Sequence, residues 1–219
     1  MPLPRKPAAV VFDMDGLIFD TEALYQEAML AVAGPAGVIV TTSLFLNMVG
    51  RPWTVNRRFL LDHFGADFAV DAFGAAWWEQ FAHMAPTRLA LKPGVLDLLD
   101  ILDAMRLPRA IATSSQLHGV HHHLGMFDLA CRFDTIVAHG DTARGKPDPD
   151  PYLLAAERLG VEPGLCLALE DSYNGVRSAS SAGMMTIMVP DLLPPTDEIR
   201  GLCVFVATDL TVVGRLLAG

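Results

Sequence analysis

The segment at residues 10–16, VVFDMDG, constrains the fold of this 219-residue chain more than any other feature. An apolar run that ends in two carboxylates, Asp13 and Asp15, followed by a glycine, is typical of a buried strand that carries charge to its own carboxyl end. Open α/β sheets place their active sites at that end of the strands. The alternative is a strand followed by an ordinary Asp-Gly turn. Other segments of the chain have to decide between the two.

Three further segments combine a turn signal with side chains that can do chemistry: 109–115 (RAIATSS), 145–151 (GKPDPDP) and 167–172 (LALEDS). The first is a second apolar strand that ends in a cluster of hydroxyl groups. The second holds Lys146 between a glycine and a proline, and the third is a strand that ends in Glu170 and Asp171. Together with the first segment, they supply what a single catalytic site would need.

These four segments, in this order, resemble the four motifs of the haloacid dehalogenase superfamily of phosphohydrolases and phosphomutases. The sequences DMDG at 13–16, DTE at 20–22, KP at 146–147 and EDS at 170–172 are similar to its beta-phosphoglucomutase-like and phosphoglycolate-phosphatase-like branch. The resemblance covers nearly the whole chain, although the region between the first and second motifs matches only loosely. Four ordered motifs are more specific than any one of them.

Periodicity and resemblance together predict an α/β fold. Helical spacing occurs at 22–33, 53–64 and 68–84, and apolar strand candidates occur at 110–113, 135–138, 165–169, 185–189 and 203–206. Helical segments separate most of the strands, as parallel crossovers require. We therefore expect a Rossmann-like parallel sheet core with helices on both faces, built from 1–16 and 89–219. Residues 17–88 are expected to form an inserted α-helical cap domain, at the point where the resembling family carries its cap.

The residue types at the strand ends are suited to phosphoryl transfer. Asp13 is the candidate nucleophile, because a carboxylate can attack phosphorus and form an aspartyl-phosphate. Asp15 is the candidate general acid and base for the leaving-group oxygen and the hydrolytic water. The charge of the transferred group requires fixed donors. Lys146, Thr113 and the backbone amides near Ser114 and at 14–16 are the predicted donors.

A cluster of carboxylates at one sheet edge predicts a cation. Asp13, Asp15, Glu170 and Asp171 are the candidate ligands, and oxygen-only ligands favour Mg²⁺ over zinc. Asp15 could contribute its backbone carbonyl rather than its side chain. The alternative for Asp171 is capping of the helix that follows, together with Ser172.

Substrate contacts are predicted on both sides of the cleft. Ser114 and Ser115 are candidates on the core, and for Thr113 and Ser115 the alternative is that their hydroxyls are satisfied locally in a turn. Gly50 and Arg51 are candidates on the cap, because a glycine-arginine turn can place a guanidinium over the cleft. The histidines at 118–123 could chelate a transition metal, but the pattern favours a solvated or partly packed helix face.

We expect a Mg²⁺-dependent phosphatase acting on a small phosphorylated metabolite, either a sugar phosphate or phosphoglycolate. A hexose phosphate mutase is the enzymatic alternative. It is weakened because Tyr25 stands where beta-phosphoglucomutases have a histidine, and because Arg51 and the Arg57-Arg58 pair are the cap's only hints of a second phosphate site. A non-catalytic binding or regulatory protein is the other alternative, and it is disfavoured because every charged position of the motifs is filled.

Composition narrows the partners and the cellular location. With 16 Lys and Arg against 25 Asp and Glu, the formal net charge is −9, which argues against nucleic acid as a partner. The three cysteines favour reduced thiols, and no apolar stretch is long enough for a membrane span or a signal peptide. We expect a cytoplasmic protein without a membrane partner, either a monomer or a homodimer.

Overall fold

A six-stranded sheet in which all the pairings are parallel forms the centre of the computed structural model, which describes residues 3–218. The strands are β1 (Ala9–Phe12), β2 (Arg109–Ala112), β3 (Thr135–Val137), β4 (Cys166–Glu170), β5 (Met185–Met188) and β6 (Phe205–Val206). Their order across the sheet is β3-β2-β1-β4-β5-β6. The first strand is therefore central. The chain builds β2 and β3 on one side of β1, then crosses to the other side and builds β4, β5 and β6.

Helices connect the strands and cover the sheet. They are α1 (Thr21–Ala33), α2 (Thr42–Leu46), α3 (Trp53–Phe64), α4 (Val70–Arg88), α5 (Val95–Met105), α6 (Leu117–Met126), α7 (Asp150–Leu159), α8 (Tyr173–Ser181), α9 (Asp197–Leu202) and α10 (Leu210–Ala218). Alternate residues of β1 face opposite sides of the sheet. Helices α5, α6 and α10 pack on the face that includes Phe12, whereas α7 and α8 pack on the face that includes Val11. The predicted Rossmann-like core with helices on both faces is confirmed.

The register of the central strands brings the sequence motifs to one edge of the sheet. Phe12 on β1 is paired with Ile111 on β2 and with Leu169 on β4. The Asp13 amide then donates to the Leu169 carbonyl at 2.9 Å. Because the three strands are parallel and end at the same level, the residues that follow them meet at the carboxyl edge.

Helices α1–α4 are inserted between β1 and α5 and have a hydrophobic core of their own. That core includes Met29, Phe45, Leu60 and Phe73. The two chain segments that connect the insert to the sheet pair with each other: the Asp20 amide donates to the Ala90 carbonyl and the Lys92 amide to the Ile18 carbonyl, both at 2.9 Å. The predicted helical cap is therefore present, attached by two adjacent connections.

Several predicted element bounds differ from the structure. Helix α4 continues to Arg88 rather than ending near residue 84, because Pro86 lies close to its end, where the missing amide interrupts little of the helix. Helix α2 was not predicted, since five residues are too few for a periodic pattern, although Thr41 caps it by accepting from the Leu44 amide. The last strand is shorter than the predicted 203–206. No helix among residues 3–218 has the length and apolar character that crossing a membrane requires.

Candidate active site

A buried lysine joins two carboxylates at the carboxyl edge of the sheet. Lys146 follows β3 and lies in the loop before α7, and its Nζ lies 2.5 Å from Asp13 Oδ1 and 2.5 Å from Glu170 Oε1. All three residues are buried. The lysine therefore fixes positive charge directly beside the predicted nucleophile.

Glu170 has every part of its carboxylate occupied by donors. Oε1 accepts from Lys146 and from the Tyr152 hydroxyl at 2.8 Å, and Oε2 accepts from the Asp171 amide and from the amide and hydroxyl of Ser172, each at 3.1 Å. Gly175 makes room for it, because a Cβ there would lie 1.6 Å from Oε1. These contacts hold Glu170 in place beside Lys146, and its role as a metal ligand stays a prediction.

Burial and mutual repulsion disfavour charge on the acids of this cluster. Burial raises the pKa of Asp13 to about 8, against the opposing effect of Lys146. Burial, and then the charges of Asp13 and Glu170, hold the pKa of Asp171 well above its usual value. The two carboxylates hold the pKa of Lys146 above its ordinary value despite burial. The cluster therefore carries more acid than its single lysine can neutralise.

The same cluster fits a hard divalent cation. Carboxylate oxygens of Asp13, Glu170 and Asp171 lie within 4.8 Å of one another. Asp171 Oδ1 is buried and has no hydrogen-bond partner among the described residues. Oxygen-only donors and excess negative charge are what Mg²⁺ prefers, and a cation there would favour the ionised carboxylates.

Asp15 stands apart from this group. Ser115 Oγ donates to Asp15 Oδ2 at 2.6 Å, and Thr113 Oγ1 lies 3.5 Å from the same oxygen, at the limit of a hydrogen bond. The structure does not place the Asp15 side chain with the other predicted metal ligands. The reason is local: the chain leaves the strand after Asp13 and turns through Gly16, whose φ is +83°. Its orphaned Oδ1 is buried at the cleft, where a general acid and base is needed.

Backbone amides add donors near the nucleophile. The amides of Met14, Asp15 and Ser114 have no acceptor within the part of the chain that the structure describes. The Gly16 amide is different, because it donates to the Phe19 carbonyl and to Thr21 Oγ1. The predicted donor set at 14–16 therefore has to be corrected: Gly16 is occupied by the turn and is not free for a substrate.

A cavity of about 600 Å³ lies between the cap and the core. Asp15, Ser114 and Ser115 line its core side, and Gly50 and Arg51 line its cap side. The predicted substrate-binding residues of core and cap are thus brought to one cavity. The remaining wall includes five aromatic side chains of the cap (Tyr25, Phe45, Trp53, Trp77 and Trp78) and three histidines, His118 and His123 on α6 and His139 after β3.

The cap turn at Gly50 contacts the core directly. A Cβ added to Gly50 would lie 2.8 Å from Ser172 Cβ and 2.9 Å from its Oγ, so only glycine allows this approach. Arg51 lies with its guanidinium carbon 5.9 Å from the Phe59 ring centroid, a cation–π contact on the cap. Gly50 is therefore a contact between cap and core, while Arg51 borders the cavity.

Sequence reasoning did not identify three residues of the site. Tyr152 resembles any apolar position of an amphipathic helix, and only the contact with Glu170 distinguishes it. The sequence singles out Glu22 only as part of the DTE segment at 20–22, yet Glu22 lines the cavity. His123 was treated as part of a helix face, yet it is buried at the cavity with an unpartnered Nδ1. Of these three residues, only Glu22 had a signal in the sequence, because it belongs to the DTE segment that follows the first motif.

Comparison with known proteins identifies the family of the chain. A family profile described as haloacid dehalogenase-like hydrolase matches residues 7–183. The chain is 35% identical over 179 residues to a phosphorylated carbohydrates phosphatase from Thermotoga maritima, covering 82% of this chain and 83% of the relative. It is 35% identical over 200 residues to a probable pseudouridine-5'-phosphatase from Drosophila melanogaster, covering 85% and 83%.

A solved structure extends the likeness to the fold. The crystal structure of a putative beta-phosphoglucomutase from Thermotoga maritima superposes with a TM-score of 0.79 and 31% identity, covering 96% of this chain and 98% of that one. The chain belongs to the haloacid dehalogenase-like hydrolases and is an enzyme of the phosphatase type.

Proposed function

We propose that the protein is a Mg²⁺-dependent phosphomonoester phosphatase that acts on a small phosphorylated metabolite through an aspartyl-phosphate on Asp13. The observation that carries the proposal is the contact of Lys146 with Asp13 at 2.5 Å, beside an acidic cluster that fits a cation. The relatives named as phosphatases, one of them for phosphorylated carbohydrates, support the same activity.

In the first step, an Asp13 carboxylate oxygen attacks phosphorus and the bond from phosphorus to the substrate oxygen breaks. Asp15 gives a proton to that oxygen, so the leaving group departs as an alcohol. Lys146 and the amides of Met14 and Ser114 stabilise the charge on the transferring group. The result is an acyl phosphate and an ionised Asp15.

In the second step, Asp15 takes a proton from water as the water oxygen attacks the phosphorus of the acyl phosphate. The bond to Asp13 breaks, and inorganic phosphate leaves. Ser115, which donates to Asp15 at 2.6 Å, holds that carboxylate at the cleft for both proton transfers. Bound Mg²⁺, held by Asp13 and Asp171 with Glu170 adjacent, would offset repulsion between the anionic nucleophile and substrate.

We also propose that residues 17–88 act as a cap that opens for substrate and closes for the chemistry. Two observations support hinges at 20–22 and near 87–92. The connecting segments pair through two backbone hydrogen bonds, and Lys92 Nζ lies 2.6 Å from Asp191 and 3.3 Å from Asp20. A cap in the same place with and without a phosphate analogue would contradict this.

Gly50→Ala is expected to impair closure. The added Cβ would collide with Ser172, so the cap would close less completely and kcat/KM would fall roughly tenfold or more. The matched control is Gly37→Ala on the cap, where φ is +70° against +69° at Gly50 but nothing lies within 4 Å of the added Cβ. Both variants should lose about 1 kcal/mol of stability from the strained backbone. Equal kinetics for the two variants would show that the contact at Ser172 has no role in catalysis.

Phosphate release is the direct test of the proposed activity. The purified protein would be assayed with fructose 1-phosphate, sorbitol 6-phosphate, phosphoglycolate and p-nitrophenyl phosphate, before and after chelation of divalent cations. We expect release to disappear on chelation and to return with Mg²⁺, because the buried acids need a compensating charge. Release that persists without any divalent cation would contradict the metal assignment. Isomerisation of a sugar phosphate in place of release, appearing once a sugar bisphosphate is added, would indicate a mutase.

A further inference from the structure

The cap contributes one buried carboxylate to the cavity, and it has no partner. Glu22 lies in the first turn of α1, is 8% exposed, and lines the cavity together with Asp15. No hydrogen bond or ion pair of its carboxylate occurs within the part of the chain that the structure describes. Buried carboxylates are normally paired, so an unpaired one at a binding cavity points to a donor supplied by the ligand.

The two lysines that pair with carboxylates close to Glu22 are both engaged in ion pairs. Lys146 binds Asp13 and Glu170, and Lys92 binds Asp191 and Asp20. Burial is the main reason that the pKa of Glu22 is raised to about 8, and the neighbouring carboxylates of Asp15, Asp191 and Asp13 raise it further. A ligand group placed here is therefore favoured if it donates hydrogen bonds and disfavoured if it is an anion.

The cap arginines do not supply a strong second anion site. Arg57 pairs with Asp71 at 2.7 Å through two hydrogen bonds, and Arg58 pairs with Asp62 at 3.0 Å. Arg88 pairs with Glu27 through two hydrogen bonds, and Arg51 stacks on Phe59 at the cavity border. A leaving group with a second phosphate or carboxylate would therefore not be neutralised by the cationic side chains of the cap.

Two partly exposed indole rings line the same cavity. Trp53 is 38% exposed and Trp78 is 46% exposed, although both line the cavity wall. Trp53 is held in place by close packing, since a Cβ at Gly74 would lie 2.4 Å from its ring. Rigid, exposed indoles offer apolar area to the carbon face of a ligand at little entropic cost.

We propose that Glu22 selects the substrate, by accepting a hydrogen bond from a hydroxyl of an uncharged, polyhydroxylated leaving group whose carbon face packs on Trp53 and Trp78. This inference rests on the proposed phosphatase activity and narrows it. Monophosphates of sugars or sugar alcohols fit the cavity, whereas phosphoglycolate and sugar bisphosphates bring a second anion to a negative wall.

Glu22→Gln tests this at about pH 9, above the raised pKa of Glu22, where the substitution keeps the shape and removes the charge. Three probes would be compared: sorbitol 6-phosphate, phosphoglycolate, and p-nitrophenyl phosphate, whose leaving group has no hydroxyl beyond the reacting oxygen. We expect kcat/KM for sorbitol 6-phosphate to fall by roughly tenfold to a hundredfold, the loss of one hydrogen bond to a charged group. We expect the value for phosphoglycolate to rise and that for p-nitrophenyl phosphate to change little. Glu79→Gln, the same change at an exposed residue of α4, is the matched control and should alter none of the three.

Different results would overturn the proposed phosphatase activity and the proposed role of Glu22. Absence of Mg²⁺-dependent and Asp13-dependent release from p-nitrophenyl phosphate would overturn the proposed activity and, with it, the role of Glu22. If release is present but Glu22→Gln lowers kcat/KM equally for all three probes, the activity stands and the selective role of Glu22 is overturned. A wild-type preference for phosphoglycolate over sorbitol 6-phosphate would also overturn it.

Discussion

Asp13→Asn is expected to reduce phosphate release by at least about 10³-fold. An amide oxygen is a poor nucleophile and cannot form the acyl phosphate, so the two-step route is closed. The remaining groups would still bind substrate, because Lys146, Asp15 and the free amides are unchanged. The measurement is kcat for the best substrate of the panel, with KM determined beside it.

The same variant has to be shown to fold. Asparagine has nearly the same shape as aspartate, and Lys146 keeps its contact with Glu170, so we expect a change in unfolding free energy of no more than about 1 kcal/mol. Thermal unfolding followed by circular dichroism checks this. A folded Asp13→Asn protein that still releases phosphate at the wild-type rate would mean that water, or another residue, attacks phosphorus directly.

Lys146→Met is expected to remove both activity and stability. Glu170 is completely buried, and loss of its ion-pair partner leaves an uncompensated acid, which costs about 3–5 kcal/mol. Activity should fall by roughly 10³-fold, because the transferring phosphoryl group loses its fixed cation. Chemical denaturation and phosphate release would be measured on the same preparation.

A second substitution separates the two effects. In Lys146→Met combined with Glu170→Gln, the buried acid is gone and Tyr152 and the neighbouring amides remain within reach of the amide side chain. We expect most of the lost stability to return while activity stays low. If the single variant Lys146→Met were as stable as the wild type, the ion pair between Lys146 and Glu170 would not contribute to the free energy of unfolding.

Much of the catalytic edge could be predicted because parallel strands end together. Asp13, Lys146 and the Glu170-Asp171 pair are far apart in sequence, yet they follow or end β1 and its neighbour β4, or lie in a loop at that edge. A motif at the carboxyl end of a buried parallel strand therefore lies at that edge of the sheet. The same argument located Thr113, Ser114 and Ser115 opposite Asp15.

The other features depend on contacts that sequence spacing does not encode. That Glu170 holds Lys146 follows from Tyr152 and Gly175, which reach it from two different helices. The direction of the Asp15 side chain depends on the turn at Gly16. The place of Glu22 in the cavity wall depends on how the cap docks on the sheet, which no local pattern determines.

The measurement that tests the central claim most directly is identification of the covalent intermediate. The enzyme would be mixed with substrate and Mg²⁺, quenched in acid within the first turnover, digested, and its peptides analysed by mass spectrometry. The account predicts one phosphoryl group on Asp13, labile to hydroxylamine, lost during a chase and absent from Asp13→Asn. Full turnover with no phosphoryl group on Asp13 at any quench time, or with the group on another residue, would contradict it.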